Sequence, residues 1–87
     1  MTTQFVQHSV ADYNAWRPQF DGHAAVRSSH GCTSSVVYQQ ADDPNSILVV
    51  SQFPSVAAAQ GFASDPSLKE AMSKGGVTGP PTISDVD

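Results

Sequence analysis

The chain opens on an alternation. In TQFVQHSV, positions 3–10, Val6, His8 and Val10 fall on one side of an extended segment and Phe5 and Gln7 on the other. That is the period of two of a half-buried strand. The period then changes. Asp12 is a residue type that caps helices, and Tyr13, Trp16, Phe20 and Ala24 follow at i, i+3, i+7 and i+11. Their spacing predicts an amphipathic helix. Pro18 lies inside the stripe and predicts a kink or a late start. Gly22 weakens the helix by about 1 kcal/mol relative to alanine. His30-Gly31 predicts its end, with Gly31 as a left-handed C-cap.

TSSVVYQQ (33–40) and SILVVSQF (46–53) read as two further strands. ADDPNS (41–46) between them has turn chemistry, with Pro44 suited to the second position of a turn, so the pair is an antiparallel hairpin. Ser55 caps a second helix over VAAAQGFA, and Asp65-Pro66 restarts it over SLKEAMSK, where Leu68 and Met72 form an apolar i, i+4 pair. Gly75-Gly76 stop it. GVTGPP reads as a rigid connection and Thr82–Val86 as a short fourth strand. The order β-α-β-β-α-β is the split βαβ pattern, an α+β, ferredoxin-like fold with an antiparallel sheet, in a single domain over residues 1–87.

Ile47, Leu48, Val49 and Val50 break the alternation. A strand apolar on both sides is buried on both sides. Two helices cover one face of a four-stranded sheet, so a second copy of the same sheet is the simplest cover for the other. This predicts a homodimer through the sheet face. Aspartate at Ile47 or Val49 is then expected to break assembly and folding. An 87-residue chain has a marginal core of its own, which also favours a partner. Cys32 is the only cysteine, so no disulfide supplies the missing stability.

Charge narrows the partners. The net charge is −4, and Arg17, Arg27, Lys69 and Lys74 are the only fixed cations. Four scattered cations do not make a nucleic-acid surface or a match for an anionic membrane. The N-terminus MTTQFVQHSV has neither a basic region nor a long apolar run, which predicts a cytoplasmic protein. A small-molecule ligand or a protein partner is left.

On a helical wheel at about 100° per residue, Trp16, Phe20, His23, Arg27 and His30 fall within about 80° of one another. His23 and Arg27 thus continue the apolar seam, where an arginine needs an anion or a carbonyl. If the strand face of His8 meets the helices, His8, His23 and Arg27 converge on one pocket. Tyr13, Trp16, Phe20, Tyr38, Phe62 and Met72 would be its ligand-holding walls. Two imidazoles and a guanidinium against aromatics suit proton transfer on a planar, enolisable ligand. The alternative is structural: His23 and Arg27 snorkel along a solvated edge, and His8 is a core histidine satisfied by backbone. No metal site is expected from His8, His23 and His30. Gly75-Gly76 follow a helix and offer no phosphate loop, so no cofactor is implied.

Several stretches carry a likeness beyond these patterns. They are His8-Ser9-Val10 with Asp12-Tyr13 and Trp16, Phe20-Asp21-Gly22-His23 with Arg27, and Gly31. Further along come Ala41-Asp42-Asp43-Pro44-Asn45, Ala59 with Phe62, Asp65-Pro66, Met72, and Gly76-Val77 with Pro80-Pro81. Together they span nearly the whole chain. They resemble the dimeric α/β-barrel superfamily, in particular its small antibiotic-biosynthesis-monooxygenase-like and polyketide-cyclase-like proteins. The resemblance implies a ferredoxin-like protomer whose sheet packs on a partner's sheet, with a ligand pocket between sheet and helices. Activities across that superfamily include cofactor-free oxygenation of phenolic polyketides, cyclisation, haem breakdown, lactone isomerisation and decarboxylation, so the fold alone does not choose among them. SVAAAQGFASDPSLKEAM contains no histidine, which disfavours haem breakdown. The expectation is a cofactor-independent enzyme acting by acid/base chemistry on a small aromatic or polyketide-like carbonyl compound, as a cyclase or monooxygenase. His8 or His23 would be the base and Arg27 the stabiliser of the resulting oxyanion. The alternative is a non-catalytic small-ligand-binding or dimerisation module.

Overall fold

In the computed structural model, which describes residues 1–87, the opening alternation becomes strand β1 (Thr2–Val10). Helices α1 (Tyr13–Gly22) and α2 (Ala24–Ser29) follow, then the hairpin of β2 (Ser34–Gln40) and β3 (Asp43–Phe53). Helices α3 (Val56–Ala63) and α4 (Pro66–Lys74) lead to β4 (Val77–Val86). All pairings are antiparallel, in the order β2-β3-β1-β4. This is the α+β ferredoxin-like arrangement, with each helical stretch delivered as two short segments. No helix is long and apolar enough to cross a membrane.

The helix starts follow from local chemistry. Asp12 accepts the backbone N–H of Asn14, Ser55 that of Ala58 and Asp65 that of Ser67, so each expected cap satisfies a donor that the first turn leaves free. Gly31 takes φ +90°, and a Cβ there would stand 3.1 Å from the Pro54 ring.

Three expectations about where elements break, turn and begin are corrected. Pro18 sits exposed within α1, and the interruption falls instead at His23, whose N–H turns back to Phe20 and Asp21. Gly22, the weakest helix former in the stretch, precedes the break. The break also shifts the phase, so Ala24 is exposed and His23 is buried in its place. The hairpin turn is Ala41-Asp42 alone, and β3 begins at Asp43, with a register shift that absorbs Pro44, Asn45 and Ser46. Finally, GVTGPP is not a connection. It begins β4, an edge strand, where a missing proline N–H deprives no neighbour. The register jumps from Ser9↔Thr78 to Gln7↔Thr82, so Gly79, Pro80 and Pro81 bulge opposite His8.

The non-alternating run divides between the two faces. Ile47 and Val49 point to the helices with Ser51 and Phe53, all buried. They belong to the protomer's own core, not to a sheet-to-sheet contact, which corrects their assignment to an interface. Leu48 and Val50 face the other way, opposite Tyr38 and Val36 on β2, and Val50 also lies opposite Phe5 on β1. That face carries no helix. Tyr38 is 55% exposed and Val36 47%.

On the helix side the core falls into two clusters. Val6, Val10, Trp16, Ile47 and Val49 form one, and Phe53, Ala59 and Phe62 the other. The candidate site lies where they meet.

Candidate functional site

Strand alternation brings Gln4, Val6 and His8 to the helix side of β1, and Val49 and Ser51 do the same from β3. Trp16 and Phe20 come down from α1, His23 from the break, and Arg27 from α2. Phe62 of α3 closes one end, and α4 lays Leu68, Ala71 and Met72 across the top. These groups line a half-open cavity of about 50 Å³. None of the residues of α4 is fully buried, so this wall is the least anchored.

His8, His23 and Arg27 therefore meet in one cavity, as do Trp16, Phe20, Phe62 and Met72. Two expected wall residues do not line it. Tyr38 stands on the opposite face of the sheet, because its register partner Leu48 points away from the helices. Tyr13 packs behind Trp16, ring centres 5.9 Å apart, with its hydroxyl accepting from Arg17 at 3.0 Å. Gln4 and Ser51 were not anticipated. Gln4 shares the strand face of His8 by the same period of two, so its position was legible. Its side-chain amide donates to the Ala59 carbonyl at 3.0 Å and to Asp85 at 3.1 Å, which ties β1 to α3 and β4.

The aromatic groups are packed in order. Trp16 stacks on Phe20 at 5.1 Å and meets His8 edge-on at 5.6 Å. The Arg27 guanidinium lies 3.8 Å over the Phe20 ring. Gly75, beyond α4, lets the chain pass against Trp16: a Cβ there would stand 2.9 Å from the indole edge. Gly75→Ala is expected to destabilise the fold by about 1–3 kcal/mol through this overpacking, and to shift the emission of the only tryptophan. A thermal melt and a fluorescence spectrum check it.

The electrostatics favour neutral imidazoles and one fixed cation. His8 is 7% exposed, and its Nδ1 is buried with no hydrogen-bond partner. Burial pushes its pKa below the ordinary histidine range. His23 is lowered too, by burial first and then by the Arg27 charge, against an opposing pull from Asp65. Burial also lowers Arg27, but a guanidinium starts so high that it stays charged. Its one side-chain hydrogen bond goes from Nη1 to the Phe20 carbonyl at 2.8 Å, and no carboxylate pairs with it. Asp21, the acid nearest in sequence, is an exposed partner of Arg17.

His30 does not reach the cavity. Its Nε2 lies 2.7 Å from Asp65 Oδ2, and its ring meets Phe62 edge-on. No three His, Cys, Asp or Glu side chains are grouped to hold a metal ion. The arrangement has two acceptors for a proton, a fixed positive charge and flat apolar walls.

No protein-family model matches the chain, and no curated protein matches its sequence. Solved structures do match. SnoaB, a cofactor-independent oxygenase from Streptomyces nogalater, gives a TM-score of 0.79 at 13% identity, over 99% of this chain and 90% of that one. An antibiotic biosynthesis monooxygenase gives 0.76 at 12% identity, over 100% and 97%. Rv0793 from Mycobacterium tuberculosis gives 0.69 at 15% identity, over 100% and 94%. At such identities the likeness is one of fold, and it extends over the full length of the chain.

Proposed function

We propose that this chain is a cofactor-independent enzyme that moves a proton on a small, planar, enolisable carbonyl compound of aromatic or polyketide-like kind. The observation that carries this reading is Arg27: a buried, charged guanidinium with no carboxylate partner, in one cavity with two imidazoles kept neutral. A buried cation without an internal anion is costly unless something else supplies the negative charge. An enolate or phenolate oxygen does so. The neutral base, His8 or His23, takes the proton from carbon or oxygen, and the electron pair moves onto the carbonyl oxygen beside Arg27. Two outcomes keep atoms and electrons in balance. In a cyclase, the enolate carbon attacks a second carbonyl of the same molecule and the new alkoxide takes the proton back. In an oxygenase, dioxygen adds at that carbon, and the hydroperoxide loses water to leave a ketone. The fold shared with a cofactor-independent oxygenase supports the second outcome.

The cavity is small beside the range of about 300–1,000 Å³ usual for ligand sites. A flat substrate enters by moving α4 outward, the wall with no fully buried residue. The same narrowness favours a second reading, a module in which Trp16 and Phe62 simply fill the space.

Trp16 fluorescence separates the two. Dithranol, a planar phenolic ketone, is expected to quench it saturably, and oxygen uptake with this compound is expected to exceed the protein-free rate. Acetylacetone, a smaller enolisable probe, is expected to exchange its central hydrogens with deuterium faster in the presence of the protein. Absence of quenching by either compound, with no catalysed exchange or uptake, sinks the enzyme reading in favour of the filled module.

The protomer also works as half of a homodimer. Phe5, Val36, Tyr38, Leu48 and Val50 lie on the helix-free face of the sheet, and a second copy of that face covers them.

A further inference from the structure

A chain of hydrogen bonds runs outward from the cavity wall. His23 Nε2 lies 3.0 Å from Ser67 Oγ, and Ser67 Oγ lies 2.7 Å from Asp65 Oδ1. The backbone N–H of Ser67 donates to the same carboxylate oxygen at 2.8 Å, and His30 Nε2 approaches the other at 2.7 Å. The direction of each bond follows from counting protons. These donors hold the Asp65 pKa down to about 2, first through His30 and then through Ser67, so Asp65 is ionised and only accepts. Ser67 has one hydroxyl hydrogen, and it points to Asp65. Towards His23 its oxygen can therefore only accept, and His23 Nε2 must carry a hydrogen. A neutral imidazole has one N–H, so the lone pair is on Nδ1.

We propose that Asp65, acting through Ser67, is a positioning residue that locks His23 in the Nε2–H tautomer and so makes Nδ1 the proton-accepting atom of the cavity. The proposal rests on the acid/base reading of the cavity and chooses between its two imidazoles. His8 has no comparable side-chain device: its Nδ1 makes no hydrogen bond of good geometry, and only the Ser9 backbone works against its burial. The order of donors also excludes a Ser67 nucleophile activated by His23. In such a pair the hydroxyl donates to the imidazole, whereas here it donates to Asp65. The charged and titratable groups acting on His23 are Arg27 and His30 from the α2 side and Asp65 at the start of α4; the paired Glu70 and Lys74 of α4 line a shallow groove with it, and His8 lines the same cavity from β1. Because Asp65 and Ser67 open α4, the contact holds only the first turn of that wall to His23, and the movement that admits a substrate belongs to its Ala71–Met72 end.

The test reads the ring nitrogens of the full-length, nitrogen-labelled protein by NMR, at a pH of about 8, above the ordinary histidine range. In the wild type, His23 is expected to show the Nε2–H pattern alone, with an Nε2–H proton slow enough in exchange to be seen. Ser67→Ala is expected to lose that proton signal and to admit an Nδ1–H fraction, and Asp65→Asn, whose Oδ1 still accepts from Ser67 but without the charge, is expected to do so in part. Ser67→Thr is expected to restore the wild-type spectrum. Asp65→Asn is also expected to lower the pKa of His23 further, because it removes the charge that favours the imidazolium. Asparagine keeps the helix cap, and the wild-type spectrum needs no variant at all. An Nδ1–H tautomer in the wild type overturns the proposal, as does an unchanged His23 signal in both variants. A locked Nε2–H tautomer without deuterium exchange into acetylacetone supports the lock and defeats the acid/base reading, so the two failures are distinct.

Discussion

Arg27→Met is expected to change stability by no more than about 1 kcal/mol and to weaken the binding of dithranol by about ten- to hundredfold. The two halves of this result come from different contacts. In the free protein Arg27 has only the Phe20 carbonyl and the Phe20 ring to hold it. The carbonyl also accepts the His23 backbone N–H at 3.1 Å, so it stays satisfied when the guanidinium goes. Methionine offers its thioether to the same ring, which offsets part of the lost cation–π contact, and the cost of burying a charge disappears. The ligand has no such substitute. Removing a charge-assisted hydrogen bond to an oxyanion costs about 1.5–3 kcal/mol, which is the expected loss of affinity. Thermal melts and fluorescence titrations of the two proteins check both halves. A destabilisation of about 3–5 kcal/mol with unchanged binding would show that the charge serves an internal acid rather than a ligand.

The second large effect concerns the bare face of the sheet. The wild type is expected to scatter light as twice the chain mass at micromolar concentration, and Val50→Asp to scatter as a monomer or to lose its fold. Val50 is half-buried in one protomer, beside Phe5, Val36 and Leu48 on a face without a helix. A second sheet there would bury a carboxylate against apolar groups, at a cost of several kcal/mol. Tyr38→Ser gives the same test with less risk to the protomer, because Tyr38 is on an edge strand and 55% exposed in the single chain. A wild-type monomer at every concentration, or an intact dimer in both variants, ends the sheet-to-sheet assembly. Val49→Asp is a different experiment. Its side chain is 6% exposed under the helices, so the expected loss there is of folding, with or without a partner.

Much of the fold was legible because it depends on short-range periods. The alternation of Val6, His8 and Val10, the i, i+3 and i+7 spacing of Tyr13, Trp16 and Phe20, and the caps Asp12, Ser55 and Asp65 each act within a turn or a few residues. The chain sequence therefore determined the element order, the helix starts and which residues of β1 share a face. It put Trp16, Phe20, His23 and Arg27 on one side of a helix but left open whether His23 and Arg27 turn inward or along a solvated edge, which the break at His23 decided. What it left undecided depends on neighbours far along the chain. Whether Gly79-Pro80-Pro81 is strand or loop turns on β4 being an edge, where the missing N–H groups face no partner. Which of Ile47 to Val50 face the helices turns on register, and one residue's shift exchanges the two sides. Tyr38 left the cavity for that reason. The contact from His23 to Ser67, and through it to Asp65, joins residues 44 apart at its first step. Asp65-Pro66-Ser67 looks complete as a local helix start, and nothing in its spacing points to an imidazole. Only the packing of α4 over the break between α1 and α2 brings the capping pair against His23. A tautomer is set by whichever group lies across the hydrogen bond, and that is a property of tertiary structure alone.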